Sequence, residues 1–364
     1  MSVRPIPDSG RPRQTTPHSD AISRAVSFVR EVQLGNGEFK SLLGSDKTMS
    51  NPVFDSSPFA TSFVVFSLAQ LPARMGIDAR DVLDRACGFL RAEMEPGGVW
   101  RYWTSRQAKH FLIPPDLDDT SCISFALKAA GRRPPDNRWA FRLARDDQGR
   151  FLTWVPPSRR RLPIRFWPAH GVALARRRML APTLRLERPE DRRFEGIRIR
   201  ENDVDPVVNA NALLYLGEGV ETEAALAYVR SFVANRPEPG FSIYYQDTLF
   251  LFHAVARAHR CSAPSLADLA DPVVAGVLAR ANADGRYENP ICAAAAACAL
   301  AIYDPRSAGL PPAIEQVLDS QRADGGWDAH PFYAGREGRN FWGSEALTTA
   351  LALEALVLAA EAAG

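Results

Sequence analysis

Three aspartates fall within four positions in the stretch PPDLDDTSC, residues 114–122: Asp116, Asp118 and Asp119. Like charges this close repel, so at neutral pH the carboxylates must bind a cation, share protons among themselves, or stand in open water. An apolar, helix-like run, ISFALKAAG, follows directly. Helix starts favour Asp as an N-cap, and acids there suit the helix dipole. One capping acid satisfies one or two amides, and the others add only repulsion. A buried carboxyl beside other acids is held in its protonated form, and such a group is a general acid.

A sixfold pattern of helices positions these residues. Six segments read as amphipathic helices with one polar face: residues 21–33, 79–94, 137–146, 220–233, 265–281 and 312–323. Each is followed by a glycine-containing and usually aromatic turn, in order GNGEF, PGGVWRYW, QGRFLTW, PGFSIYY, DGRY and DGGWDAHPFY. After each turn comes a more uniformly apolar helix, beginning near Ser57, Asp116, Asp205, Asp247, Asn289 and Ser344. A helix that is apolar all round is buried. Six outer–inner pairs are what an all-α (α/α)6 toroid requires, and no run shows the two-residue alternation of a sheet. An open solenoid of helical hairpins is the alternative. Because every turn runs from an outer to an inner helix, the inner N-termini share one end of the ring, with Asp203, Asp205 and Glu345 among the polar residues there.

Bulk composition fits one large soluble domain. The chain has 364 residues, of which 46% are hydrophobic and 24% charged, with a net charge of +2. Residues 151–200 hold 13 arginines against 4 acids, so the rest of the chain is net acidic around one basic segment. Five cysteines without a C-x-x-C pair do not form a disulfide framework. The polar, proline-rich residues 1–19 read as a disordered arm without a secretory signal. The toroid is expected over 20–364, with an insertion at about 152–201 in the third repeat. The apolar stretches near residues 291–303 and 346–362 read as buried helices, so the expected location is cytoplasmic, with peripheral contact at the inner membrane face allowed by the basic insertion.

At this point the motifs resemble a known family. PDLDDTSC resembles the DxDD motif of class II terpene cyclases and squalene–hopene-type cyclases, and QRADGGW (Gln321 to Trp327) resembles their QW motif. PGGVWRYW and QGRFLTW look like degenerate copies. These matches lie within roughly residues 90–345, in the superfamily that also holds protein prenyltransferase β-subunits. The resemblance implies cyclisation of a linear isoprenoid, a prenyl diphosphate in the first instance, started by protonation of a double bond or epoxide. Asp118 would be the general acid, with Asp116 and Asp119 tuning it. Aromatic faces stabilise cations without attacking them. Trp100, Trp103, Trp154, Tyr244, Tyr245, Phe341 and Trp342 flank inner-helix starts and could supply such a lining. The pattern departs from the family in having one barrel where class II cyclases generally have two. It also lacks the acidic segment that helps bind Mg2+ and diphosphate, and the DDxxD signature of ionising synthases. The insertion, a homodimer, a partner domain or a membrane would then close the cavity.

Other constellations point elsewhere. Arg165, Arg176, Arg177 and Arg178, in the insertion, could grip a diphosphate, rest on anionic lipid, or pair with the acidic body. No nucleic-acid-binding motif accompanies them. Asp203 and Asp205 could complete an oxygen-ligand Mg2+ site. A glycan-active toroid would use Asp118 and Asp205 as acid and base, with Trp100 and Trp342 as sugar platforms. A non-catalytic toroid binding an isoprenoid or a protein is a further alternative. Cys292, Cys298, His253 and His330 lack a recognisable zinc spacing, so zinc is not expected. Nor is a nucleotide cofactor.

Overall fold

Apolar helices alternate with amphipathic ones throughout the computed structural model, which describes residues 17–111, 113–155, 203–237, 240–335 and 340–362. The outer helices are α1 (Pro17–Val32), α3 (Arg80–Ala92), α5 (Arg138–Leu143), α7 (Glu223–Ala234), α9 (Ala270–Leu278) and α11 (Leu310–Asp319). The inner helices are α2 (Pro58–Ala69), α4 (Leu117–Ala129), α6 (Pro206–Leu216), α8 (Thr248–Cys261), α10 (Pro290–Tyr303) and α12 (Glu345–Ala362). Each inner helix packs on the next, and α12 packs back on α2, so the ring closes as an (α/α)6 toroid.

The inner helices begin with a common chemistry. Ser57, Asp116, Asp205, Asp247, Asn289 and Ser344 each accept a backbone N–H from the first turn of their helix. Proline directly follows the cap in α2, α6 and α10, where its fixed φ suits a first turn and its missing N–H costs nothing. All six N-termini thus face one end of the ring, as the sequence pattern requires.

Two turns lock neighbouring repeats together. Gln321 donates from Nε2 to Gly325 O at 2.9 Å and to Ala21 O in α1 at 2.9 Å, joining the sixth repeat to the first. Gln33 repeats the arrangement, donating to Gly37 O at 3.1 Å and to Val82 O in α3 at 3.0 Å. The two glycines have φ of +88° and +91°, and a Cβ on either would lie within 2.4 Å of a carbonyl oxygen of the adjoining outer helix. GNGEF is therefore a copy of the QW-like turn, with Phe39 in place of the tryptophan.

The structure departs from expectation in three places. Helix α1 already begins at Pro17, inside the stretch read as a disordered arm. The fifth outer helix is broken: a 3-10 turn over Pro264–Leu269 precedes α9, which restarts just before Pro272, a residue tolerated only in a first turn. A small antiparallel sheet is also present. Its strands are β1 (Leu42–Gly44), β2 (Val53–Phe54), β3 (Pro331–Ala334) and β4 (Phe341–Gly343), in the order β2-β1-β4-β3. It joins the long turns of the first and sixth repeats across the ring closure. Strands of two to four residues are too short to announce themselves by alternation.

Charges inside the ring are paired. Glu354 of α12 is 4% exposed and meets His253 Nε2 at 3.3 Å and Arg257 Nε at 3.8 Å, both from α8. The Arg257 guanidinium also lies 4.1 Å from the Phe66 ring centroid. A lone buried Glu would be far more costly than this network. No helix among the described residues is long and apolar enough to cross a membrane.

Candidate active site

The three clustered aspartates have three different roles. Asp116 is the N-cap of α4, its Oδ1 accepting the Asp119 amide at 2.7 Å. Its backbone is extended and held between two turns, with Asp116 N donating to Trp100 O and Leu117 N to Thr153 O. Leu117 is driven into the core, and Asp118, one residue further round the first turn, faces a cavity. Asp119 is 3% exposed, and its Oδ1, like Asp116 Oδ2, has no hydrogen-bond partner.

Asp118 is held by two donors from neighbouring repeats. Asn211 of α6 donates from Nδ2 to Oδ1 at 2.8 Å, and the Tyr245 hydroxyl donates to Oδ2. Each carboxyl oxygen has two lone-pair directions, so each keeps one that can carry a proton. Burial pushes the Asp118 carboxyl above its ordinary range, against the opposing effect of the Tyr245 and Asn211 hydrogen bonds. Asp116 is pushed up to about 7, also by burial, and Asp119 well above the usual carboxylate range by burial and the Asp116 charge. Burial thus favours the neutral acid throughout the cluster. Donors that favour the anion make its proton easier to release once an acceptor arrives.

The cavity above these acids is walled by aromatic rings. Phe59, Tyr102, Trp103, Trp154, Tyr244 and Tyr333 line it, with Tyr245, Trp342, Ile113 and Ile243. Tyr333 and Trp342 face each other across β3 and β4, with ring centroids 5.7 Å apart and an interplanar angle of 15°. No Lys, Arg or His is among its described lining residues.

Two expected lining residues lie elsewhere. Trp100 is fully buried and donates its indole N–H to Leu90 O at 2.7 Å, bracing its turn against α3 as Trp327 braces against α11 through Val317 O at 2.8 Å. Phe341 alternates with Trp342 along β4 and so faces the opposite side, where it packs with Met49 and Ala334. Trp103, Trp154, Tyr244, Tyr245 and Trp342 do line the cavity. Arg165, Arg176, Arg177 and Arg178 lie outside the described residues, as do residues 1–16.

The two carboxylates that precede α6 are engaged by neighbouring donors. Asp205 Oδ1 accepts Val207 N at 2.8 Å and Val208 N at 3.3 Å as the helix cap, and Oδ2 accepts the Ser242 hydroxyl. Asp203 accepts the Tyr244 hydroxyl. Asp205 is thus committed to the cap of α6 and to Ser242, and Asp203 to Tyr244, each keeping a lone-pair direction beyond these bonds. Of the residues weighed for zinc, His253 and Cys298 come together with Glu354, their ligand atoms within 4.8 Å of one another, but Glu354 is already engaged by Arg257.

Asn211 and Asp55 are among the residues that sequence reasoning passed over, with the lining residues Phe59, Tyr102, Ile113 and Ile243. Asn211 had a signal, being a polar residue within the otherwise apolar run PVVNANALLYL. Asp55 had none.

Solved structures with this architecture were found by comparison. A variant of the type II terpene cyclase MstE from Scytonema, in complex with its substrate geranylgeranyl dihydroxybenzoate, superposes with a TM-score of 0.65 at 16% identity, over 95% of this chain and 98% of that one. The fold is the α/α toroid. The ent-copalyl diphosphate synthase from Streptomyces platensis matches with a TM-score of 0.55 at 17% identity, over 83% of this chain and 50% of that chain. An unsaturated glucuronyl hydrolase specific for heparin shares the toroid with a TM-score of 0.56 at 12% identity, over 95% of this chain and 97% of its own. No protein-family model matches the toroid chain, and no curated protein does.

Proposed function

We propose that this toroid is a class II-like terpene cyclase in which Asp118 protonates a double bond of a linear isoprenoid. The observation that carries the reading is a cluster of three buried carboxyls facing a cavity walled by aromatic and aliphatic side chains, where burial favours the neutral acid. An alkene is a very weak base, so its protonation needs a neutral acid in a dry apolar site. The O–H bond of Asp118 breaks as the alkene π pair forms a C–H bond. The positive charge then sits on the more substituted carbon, the next double bond of the folded chain attacks it, and the last cation loses one C–H proton, which leaves a neutral isomer of the substrate. Asn211 and Tyr245 stabilise the carboxylate left behind, and Asp116 and Asp119 are positioned to return a proton to it. Ring faces accommodate the travelling charge without capturing it. The likeness to MstE over nearly all of both chains supports a reading in which one toroid suffices.

The test is incubation of the protein, with and without Mg2+, with farnesyl and geranylgeranyl diphosphates and with geranylgeranyl dihydroxybenzoate. A cyclic product of unchanged mass is expected from at least one of them. Unchanged linear material from every substrate would sink the proposal. The two kinds of head group are kept as separate arms because the described cavity wall does not choose between them.

Activity and stability should both fall with rising pH. The folded protein holds protons on Asp116 and Asp119 above pH 3.8, the ordinary Asp value, so it binds more protons than the unfolded chain between there and about pH 7. Stability therefore declines as pH climbs through that window. The reactive acid is lost in the same direction, because burial raises the Asp118 carboxyl as well, so kcat should fall as pH rises. A pH–rate profile that rises between about pH 6 and 8 would contradict this assignment.

A further inference from the structure

Asp55 lies between β2 and the cap of α2, is 2% exposed, and touches the cavity only through other side chains. Its Oδ2 accepts two indole N–H groups, from Trp103 at 2.9 Å and from Trp342 at 2.8 Å. The two tryptophans come from turns in the second and sixth repeats, and both line the cavity. Trp103 meets Tyr102 edge-on at 5.6 Å, and Trp342 stacks on Tyr333, so both rings are fixed in orientation. Lys109 Nζ stands 3.7 Å from Asp55 Oδ1 and 5.7 Å from the centre of the Trp103 ring.

A carboxylate bonded to an indole N–H draws that proton toward itself and leaves the ring richer in electrons, which strengthens the attraction of its face for a cation. Its own negative charge acts in the same direction across a low-dielectric wall. We propose that Asp55 is the counter-ion of the cavity, acting on positively charged ligands or intermediates through the faces of Trp103 and Trp342. Asp55 is thus a positioning residue with an electrostatic role, and Lys109 weakens it. The part that concerns carbocations rests on the cyclase reading; the part that concerns cation binding does not.

The two indole bonds end on one oxygen, so Asp55→Asn can keep both through its amide carbonyl while removing the charge. The probe is N,N-dimethyldodecylamine, an ammonium ion at pH 7, with dodecanol as its uncharged counterpart, each titrated by tryptophan fluorescence against the full-length protein. Asp55→Asn is expected to weaken amine binding about tenfold and to leave dodecanol within about twofold. Lys109→Met is expected to tighten amine binding about threefold. Equal loss of both ligands in Asp55→Asn, an unchanged amine affinity, or no amine binding by the parent protein would overturn the proposal. Should Asp55→Asn fail to fold, Lys109→Met decides alone, and an unchanged or weaker amine affinity would refute the counter-ion. The amine result standing while no isoprenoid is cyclised would remove the cyclase reading and keep this one. Cyclisation with an amine affinity blind to Asp55 would do the reverse.

Discussion

Asp118→Asn should reduce cyclisation by about 10^3-fold or more, since it removes the acidic proton while preserving the shape of the side chain. The geometry gives reason to expect an otherwise intact protein. An asparagine at position 118 can still accept the Tyr245 hydroxyl, and Asn211 can turn its amide to meet the new NH2 group, because its own Oδ1 has no partner. The melting temperature should therefore stay within a few degrees of the parent, as the loss of a buried acid also removes repulsion from Asp116 and Asp119. Asp119→Asn should cost less in rate, because Asp119 lacks the Asn211 and Tyr245 donors that would stabilise the carboxylate formed on Asp118. The comparison is made on the cyclic product by gas chromatography–mass spectrometry. Retained cyclisation in Asp118→Asn would place the acid elsewhere and sink the mechanism.

The largest effect on stability is expected from Trp327→Ala. Trp327 is fully buried, receives support from Thr349 through its backbone N–H at 3.3 Å, and donates its indole N–H to Val317 O at 2.8 Å. Removing a buried tryptophan costs about 3–5 kcal/mol and leaves the α11 carbonyl unpaired. The position compounds the loss. The same turn carries Gln321 and Gly325, which fasten the sixth repeat to α1, so the cavity left behind lies at the seam of the ring. A fall of roughly 5–10 °C in melting temperature is expected by calorimetry. A change within a degree would mean that the turn is not what closes the toroid.

The sequence alone determined the twelve helices, their alternation and the end of the ring at which the inner ones begin. A buried helix must be apolar on all faces and an outer one on a single face, so burial is written into local composition. Helix starts need Ser, Asp or Asn at a fixed offset, so the capped ends were legible too. The crowding of Asp116, Asp118 and Asp119 was legible as chemistry for the converse reason, that capping explains only part of it. The broken fifth outer helix follows from Pro272, whose ring and missing N–H bar it from a helix interior.

Tertiary structure alone decided which aromatic rings face the cavity and what holds them. Trp100 and Trp103 sit three residues apart in one turn, yet one braces α3 and the other lines the cavity. Phe341 and Trp342 separate in the same way, because a strand too short to be seen in the sequence sends them to opposite sides. Asn211 meets Asp118, and Asp55 meets Trp103 and Trp342, across 93, 48 and 287 residues of chain. Local patterns report what a segment does with its own backbone and with water. The choice of a hydrogen-bond partner hundreds of residues away depends on closure of the ring, which brings the first and sixth repeats together and is set by all six pairs packing at once.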